Sequence, residues 1–200
     1  MTLSRLSTIS AVTAAALAVG FAAASPGFAQ MKNDDAMMSD KPVTVGGAPM
    51  FGSKNIIENA VKSKDHTTLV AAVKAAGLVE TLQGAGPFTV FAPTNAAFEK
   101  LPNGTVDTLL KPANKSKLSS VLTYHVVAGR LSAKDLMEAA KKDGGKHKLK
   151  TVQGEELTVS TEGNKVIVSD SKGNRSTITI QNVFQSNGVI HVIDSVLLPA

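Results

Sequence analysis

FTVFAPTNAAF, Phe88 to Phe98, changes period halfway along its length. Phe88, Val90 and Ala92 fall on one side of a period-2 strand and Thr89 and Phe91 on the other. With no charge on either side, the segment reads as a strand buried on both faces. Pro93 withholds an N–H and ends it, while Thr94 and Asn95 are both good N-caps for a helix that opens at Ala96 and buries Phe98. A core strand therefore feeds directly into a helix. Near the C-terminus GVIHVIDSVLLP, Gly188 to Pro199, alternates in the same way: Val189, His191 and Ile193 against Ile190, Val192 and Asp194, with Leu197-Leu198 extending the apolar run. It reads as a second central strand that closes the domain.

Together these stretches resemble the two signature segments of the fasciclin (FAS1) domain, here TVFAPTNAAF at Thr89 to Phe98 and HVIDSVLLP at His191 to Pro199. Tyr124-His125 in YHVV matches the motif that lies between them, so all three occur in family order. The resemblance runs from about Ser53 to Pro199. It implies an antiparallel β-sandwich wedge with helices packed on it. It also marks Thr89, Phe91, Pro93, Thr94, Asn95, Phe98, Tyr124, His125, His191 and Asp194 as family positions, structural or binding.

The residues between the motifs agree with that class. Ile56-Ile57 with Ala60-Val61, and Leu69, Val70, Val73 and Ala76, predict two amphipathic helices, the second broken by Gly77. Leu78, Val79 and Leu82 add a short turn of helix before Gly84-Ala85-Gly86-Pro87 delivers the chain into the core strand. Thr105 to Leu110 and the segment through Leu118, Val121 and Leu122 are helical again. Ser132 as N-cap, Asp135 three residues on and the Leu131/Leu136 pair predict a helix ending near Gly144-Gly145. After it the period falls to 2: Leu157 and Val159, Val166 and Val168, and Ile178 and Ile180 are separated by Gly163-Asn164 and Gly173-Asn174 turns, an antiparallel meander. Helices first and strands afterwards make an α+β domain, predicted over residues 53–200, with no internal repeat.

Residues 1–29 read as a secretory signal peptide: Arg5, then an uncharged run from Ile9 to Ala24, then small residues before Gln30. That run falls short of the ~20 predominantly apolar residues a spanning helix needs. Residues 30–52 read as a flexible leader. Met31, Met37, Met38 and Met50 have no His or Cys beside them to complete a metal site, so no metal is assigned. The chain has no cysteine, hence neither disulfides nor a lipid-modified cysteine anchor, and the expected location is secreted or periplasmic.

No G-x-S-x-G, H-E-x-x-H, C-x-x-C, P-loop, dinucleotide or EF-hand pattern occurs, so no catalytic residue and no cofactor is assigned. His125, His191, Asp194 and Ser195 fail as a triad on paper because His191 and Asp194, three apart on a strand, face opposite sides. The histidines read as buried groups bonded to backbone. Tyr124 reads as a buried ring with a satisfied hydroxyl. The resemblance also implies integrin binding in some animal members through an Asp-Ile pair. Here that place holds Asn182-Val183, without the carboxylate, which argues against integrin.

The chain carries 21 basic and 16 acidic residues. Once Arg5 is set aside with the signal peptide, the positive excess sits in Lys141, Lys142, Lys146, Lys148 and Lys150 around Asp143. With no aromatic residue interleaved and no nucleic-acid motif, this stretch is not a nucleic-acid site. It is a candidate contact for acidic polysaccharide or an anionic surface, through point charges that salt screens. The resulting expectation is an exported, non-enzymatic module for adhesion or for binding matrix and envelope material. The alternative is a carrier of a small hydrophobic ligand such as a carotenoid.

Overall fold

The computed structural model describes residues 42–200. The signal peptide expected over residues 1–29 and most of the expected leader, through residue 41, lie outside the described residues. The chain begins with a hairpin of β1 (Val43–Val45) and β2 (Ala48–Met50), followed by helices α1 (Ile56–Ala60), α2 (Thr67–Ala76) and α3 (Val79–Gln83). Strand β3 (Phe88–Pro93) leads into α4 (Asn95–Glu99), α5 (Thr105–Leu110), α6 (Lys115–Tyr124), the short β4 (Val126–Ala128) and α7 (Ala133–Lys142). Strands β5 (Lys146–Lys150), β6 (Glu156–Glu162), β7 (Lys165–Ser169), β8 (Arg175–Gln185) and β9 (Gly188–Ile193) complete it.

Seven strands form one continuous ladder in the order β4-β3-β9-β8-β7-β6-β5. The long β8 bends it into a wedge. Its N-terminal end pairs with β7, its remainder pairs with β9, and the register shifts between Ile178 and Ile180 and between Ile180 and Val183. Such bulges kink a strand and let it serve two half-sheets. Neighbours along the meander are antiparallel, but β3 and β9 run parallel, Phe88 opposite Gly188 through Pro93 opposite Ile193. A parallel pair needs a long crossover, and here the helices and the whole meander supply it.

Both central strands are buried on their two faces because each face meets a different core. Val90, Ala92, Ile190 and Val192 join Ile56, Leu69, Val73, Phe98, Leu118 and Leu122 under the helices. Phe91 and Ile193 join Tyr124, Leu136, Leu157, Val159, Val166 and Val168 inside the wedge. The alternation read along Phe88–Ala92 is thus a sorting between two cores.

The expected helix starts hold, with one change of role. Ser132 and Asp135 form a complete capping box on α7. At α4 the cap is Thr94, whose Oγ1 accepts from Ala97 N at 3.2 Å, so the helix opens at Asn95, one residue earlier than expected. The flexible leader predicted through residue 52 is corrected over Val43–Met50, where the chain is a hairpin with Val45 and Met50 buried in the helical core. Gly46 and Gly47 both take positive φ, as a two-residue hairpin turn requires. Lys64 N donates to Gly46 O at 3.2 Å and docks the turn.

Candidate functional site

The signature residues converge on the β3–β9 seam, and their polar atoms are spent inside the fold. Thr89 Oγ1 donates to Gly129 O at 2.7 Å and accepts from Leu131 N at 2.9 Å, holding the loop that leaves β4. Phe91 is fully buried with its ring stacked on His191, centroids 5.9 Å apart. Pro93 closes β3 opposite Ile193. Asn95, freed from capping, clamps the start of α2: its Oδ1 accepts from Thr68 N at 3.0 Å and its Nδ2 donates to Lys64 O at 2.9 Å. Phe98 lies in the helical core.

Tyr124 is buried, its hydroxyl donating to Glu156 O at 3.0 Å and accepting from Ser171 N at 3.2 Å. Burial pushes its pKa up. For His125, Nδ1 lies 2.7 Å from Val121 O and Nε2 accepts from Leu197 N at 3.1 Å. Only the neutral ring with its proton on Nδ1 satisfies both partners. His191 is fixed in the opposite sense, Nε2 donating to Leu131 O at 2.9 Å and Nδ1 accepting from Asn182 N at 3.3 Å. Desolvation holds His125 down to about 4 and lowers His191 as well.

Neither histidine touches a carboxylate or a hydroxyl, so the residues for a nucleophilic triad are present in the chain but not assembled. Asp194 points elsewhere, its Oδ1 accepting from Thr177 N at 2.9 Å and Ser176 Oγ at 3.1 Å. Partial burial works against its charge, yet these hydrogen bonds and the nearby Lys100 ammonium hold its carboxyl below the usual carboxylate range. Asn182, in the place of the adhesive carboxylate, sits at φ 60 in the bend of β8, and its Oδ1 accepts from Ala133 N at 2.7 Å. Replacing His191 by Ala is expected to orphan the Leu131 carbonyl and the Asn182 N–H and to cost about 1–3 kcal/mol. Thermal melts of the variant and wild type measure it, and an unchanged melting temperature would contradict this structural assignment.

An apolar cavity between the helices and β3/β9 is lined by Ile57, Leu69, Val73, Leu82, Ile190 and His66. His66 Nδ1 lies 2.9 Å from Ser63 Oγ, and its Nε2 has no hydrogen-bond partner. The cavity measures about 50 Å³, a fraction of the ~150 Å³ void that accepts benzene, and a carotenoid polyene has no room in it. Among the described residues no group of acidic and histidine side chains is placed to hold a metal.

The lysines take the opposite, outward position. Lys141 and Lys142 end α7, and Lys146, Lys148 and Lys150 share the solvent face of β5 while Leu149 points into the core. Two acidic groups temper them: Lys148 Nζ lies 2.9 Å from Glu156 Oε2, and His147 Nδ1 lies 2.5 Å from Asp143 Oδ2. Exposed pairs of this kind are worth ~0–1 kcal/mol and leave the face cationic. Because β5 ends the ladder, its lysines also discourage strand addition by another chain.

Comparison with known proteins agrees with this geometry. The family model for the Fasciclin domain matches residues 64–199. Protein sll1483 of Synechocystis sp. is 41% identical over 194 residues, covering 97% of this chain and 99% of that protein. The cell surface glycolipoprotein MPB83 of Mycobacterium bovis is 42% identical over 122 residues, 61% of this chain and 48% of its own length. A solved FAS1 domain pair from the insect cell adhesion molecule Fasciclin I superposes with a TM-score of 0.64 at 18% identity, over 71% of this chain and 50% of that one, a likeness of fold. With its signature strands paired down the centre of a matching wedge, and with the family model spanning α2 through the last residues after β9, the chain belongs to the Fasciclin domain family.

Proposed function

We propose that this chain is an exported, non-catalytic binding module that attaches to acidic material of a matrix or cell envelope through its surface. One observation carries the reading: the reactive side chains of the signature segments are consumed by internal hydrogen bonds, while the charge of the chain is displayed on the β5 face and the end of α7. A domain organised this way has chemistry to offer only on its outside. The related proteins lend support, one being named for the cell surface and the structural neighbour for cell adhesion. The signal peptide read over residues 1–29 supplies the export route. No helix among the described residues is long and apolar enough to cross a membrane. Integrin is not the partner in this reading, since Asn182 brings no carboxylate and its oxygen is already engaged.

The lysines act as point charges, and their attraction is screened over about 8–10 Å at physiological salt. Replacing Lys142, Lys146 and Lys148 together by Gln is expected to leave the melting temperature unchanged and to shift elution from an acidic glycan matrix to lower salt. Identical elution of variant and wild type would remove the β5 face from the binding surface.

A further inference from the structure

A groove of about 350 Å³ opens where three chain-distant segments meet: the exit of α4, the β7–β8 turn and the residues that follow β9. Leu101 and Val196 form its apolar floor, and Lys100, Arg175, Asn174 and Ser195 stand around it. Lys100 Nζ donates to Asp194 O at 2.6 Å and to Ser195 Oγ at 3.4 Å, both neutral atoms, with the Asp194 carboxylate close by. An ammonium has three donors, which leaves one for a ligand. Arg175 is tied to Glu162 through one terminal nitrogen, and the guanidinium carries five N–H donors in all. Asn174 spends its amide N–H on Asp170 at 2.8 Å, and its Oδ1 accepts nothing among the described residues. The groove therefore presents two cations, each beside a carboxylate but with donors to spare, and an open amide oxygen around a small apolar floor, while the Ser195 hydroxyl is turned to Asp194 Oδ1 at 3.3 Å.

Each property narrows the ligand. Small-molecule sites begin at about 300 Å³, so the groove suits a molecule of one or two sugar rings rather than a bare inorganic anion. It has no aromatic ring on which a base or a neutral sugar would stack, which leaves charge as the recognition element. Guanidinium and ammonium groups favour carboxylate, and the Asn174 amide oxygen matches a hydroxyl on the sugar that carries it. The geometry points to a binding site for a uronate unit of an acidic polysaccharide in the groove between Lys100 and Arg175. This assignment rests on the binding-module reading and gives it a defined pocket, separate from the diffuse charge of β5.

The test titrates the mature protein with trigalacturonate, with maltotriose as the neutral control and with inorganic phosphate as competitor, by calorimetry and by amide chemical-shift mapping. Wild type is expected to bind trigalacturonate and not maltotriose, with shifts centred on Lys100, Asn174, Arg175 and Ser195. Lys100→Gln and Arg175→Gln are each expected to weaken binding about tenfold, the loss of one charged hydrogen bond, with melting temperatures retained. Loss of trimer binding on replacing Lys142, Lys146 and Lys148 by Gln, with retention in Arg175→Gln, would overturn the groove while leaving the module reading intact. Equal displacement by phosphate at the same concentration, or shifts that map away from the groove, would overturn it as well. Because the shift map is read on wild type, a destabilised Lys100 variant does not blunt the test.

Discussion

Gly188→Ala is expected to lower the stability of the domain by about 3 kcal/mol or more, a fall in melting temperature of about 6–12 °C. Gly188 pairs with Phe88 in the parallel β3–β9 seam, and a Cβ built on it meets the Phe88 carbonyl oxygen and carbon as well as the Ile56 side chain. A rotamer change can move Ile56, but the carbonyl is backbone, so relief requires that the two strands part or slip. A slip by one residue would exchange the faces of Val189, Ile190 and His191 between the two cores. Thermal or urea denaturation of the variant checks the value. A loss below about 1 kcal/mol would mean that the seam yields more readily than its burial implies.

The second large effect is acid sensitivity near the bottom of the histidine range. His125 titrates near 6.5 when unfolded and at about 4 when folded, because desolvation opposes the charged ring and its Nε2 already accepts from Leu197. The unfolded chain then binds the extra proton first. Stability is fully present above the unfolded value and is lost as pH falls from 6.5 to about 4, where the loss reaches about 3 kcal/mol. His191 and His66, also lowered by burial, act in the same direction. Asp194, held below the usual carboxylate range, contributes a loss only at lower pH. Urea midpoints measured between pH 7 and pH 4 are expected to fall steadily, and His125→Gln to start lower but fall with a shallower slope. Parallel slopes for variant and wild type would show that His125 is not the titrating group. Protonation would place two N–H groups against each other at the Leu197 contact, so the segment after β9 is the part expected to loosen first.

Much of the fold was legible because its signals are local. The alternation in Phe88–Ala92, the Ser132/Asp135 capping box and the two glycine turns of the meander are each decided within a few residues, and each appears where the sequence placed it. The β1–β2 hairpin escaped because three-residue strands are too short to show a period, and its only mark was Gly46-Gly47 in a polar stretch. Thr94 and Asn95 both read as caps, and only Thr94 does that work, because Asn95 is taken up by a contact with α2 that lies 27 residues away. The internal character of His125, His191 and Tyr124 followed from their apolar surroundings in sequence. Their partners Leu197, Leu131 and Ser171 did not, being fixed by tertiary packing alone. The groove at Lys100 and Arg175 left no trace in the sequence, because its walls come from three segments that no local pattern connects.

The parallel pairing of β3 with β9 also governs when the protein can fold. β9 lies about a hundred residues after β3, so a chain emerging from its N-terminus makes Phe91 and Val90 long before it makes the strand that covers them. Early on, β3 has only the three residues of β4 beside it, an arrangement too small to stand alone. Completion of the core therefore waits for β9 itself. Until that strand is made, β3 keeps one long edge and the apolar residues behind it uncovered, open to chaperones or to pairing with another chain.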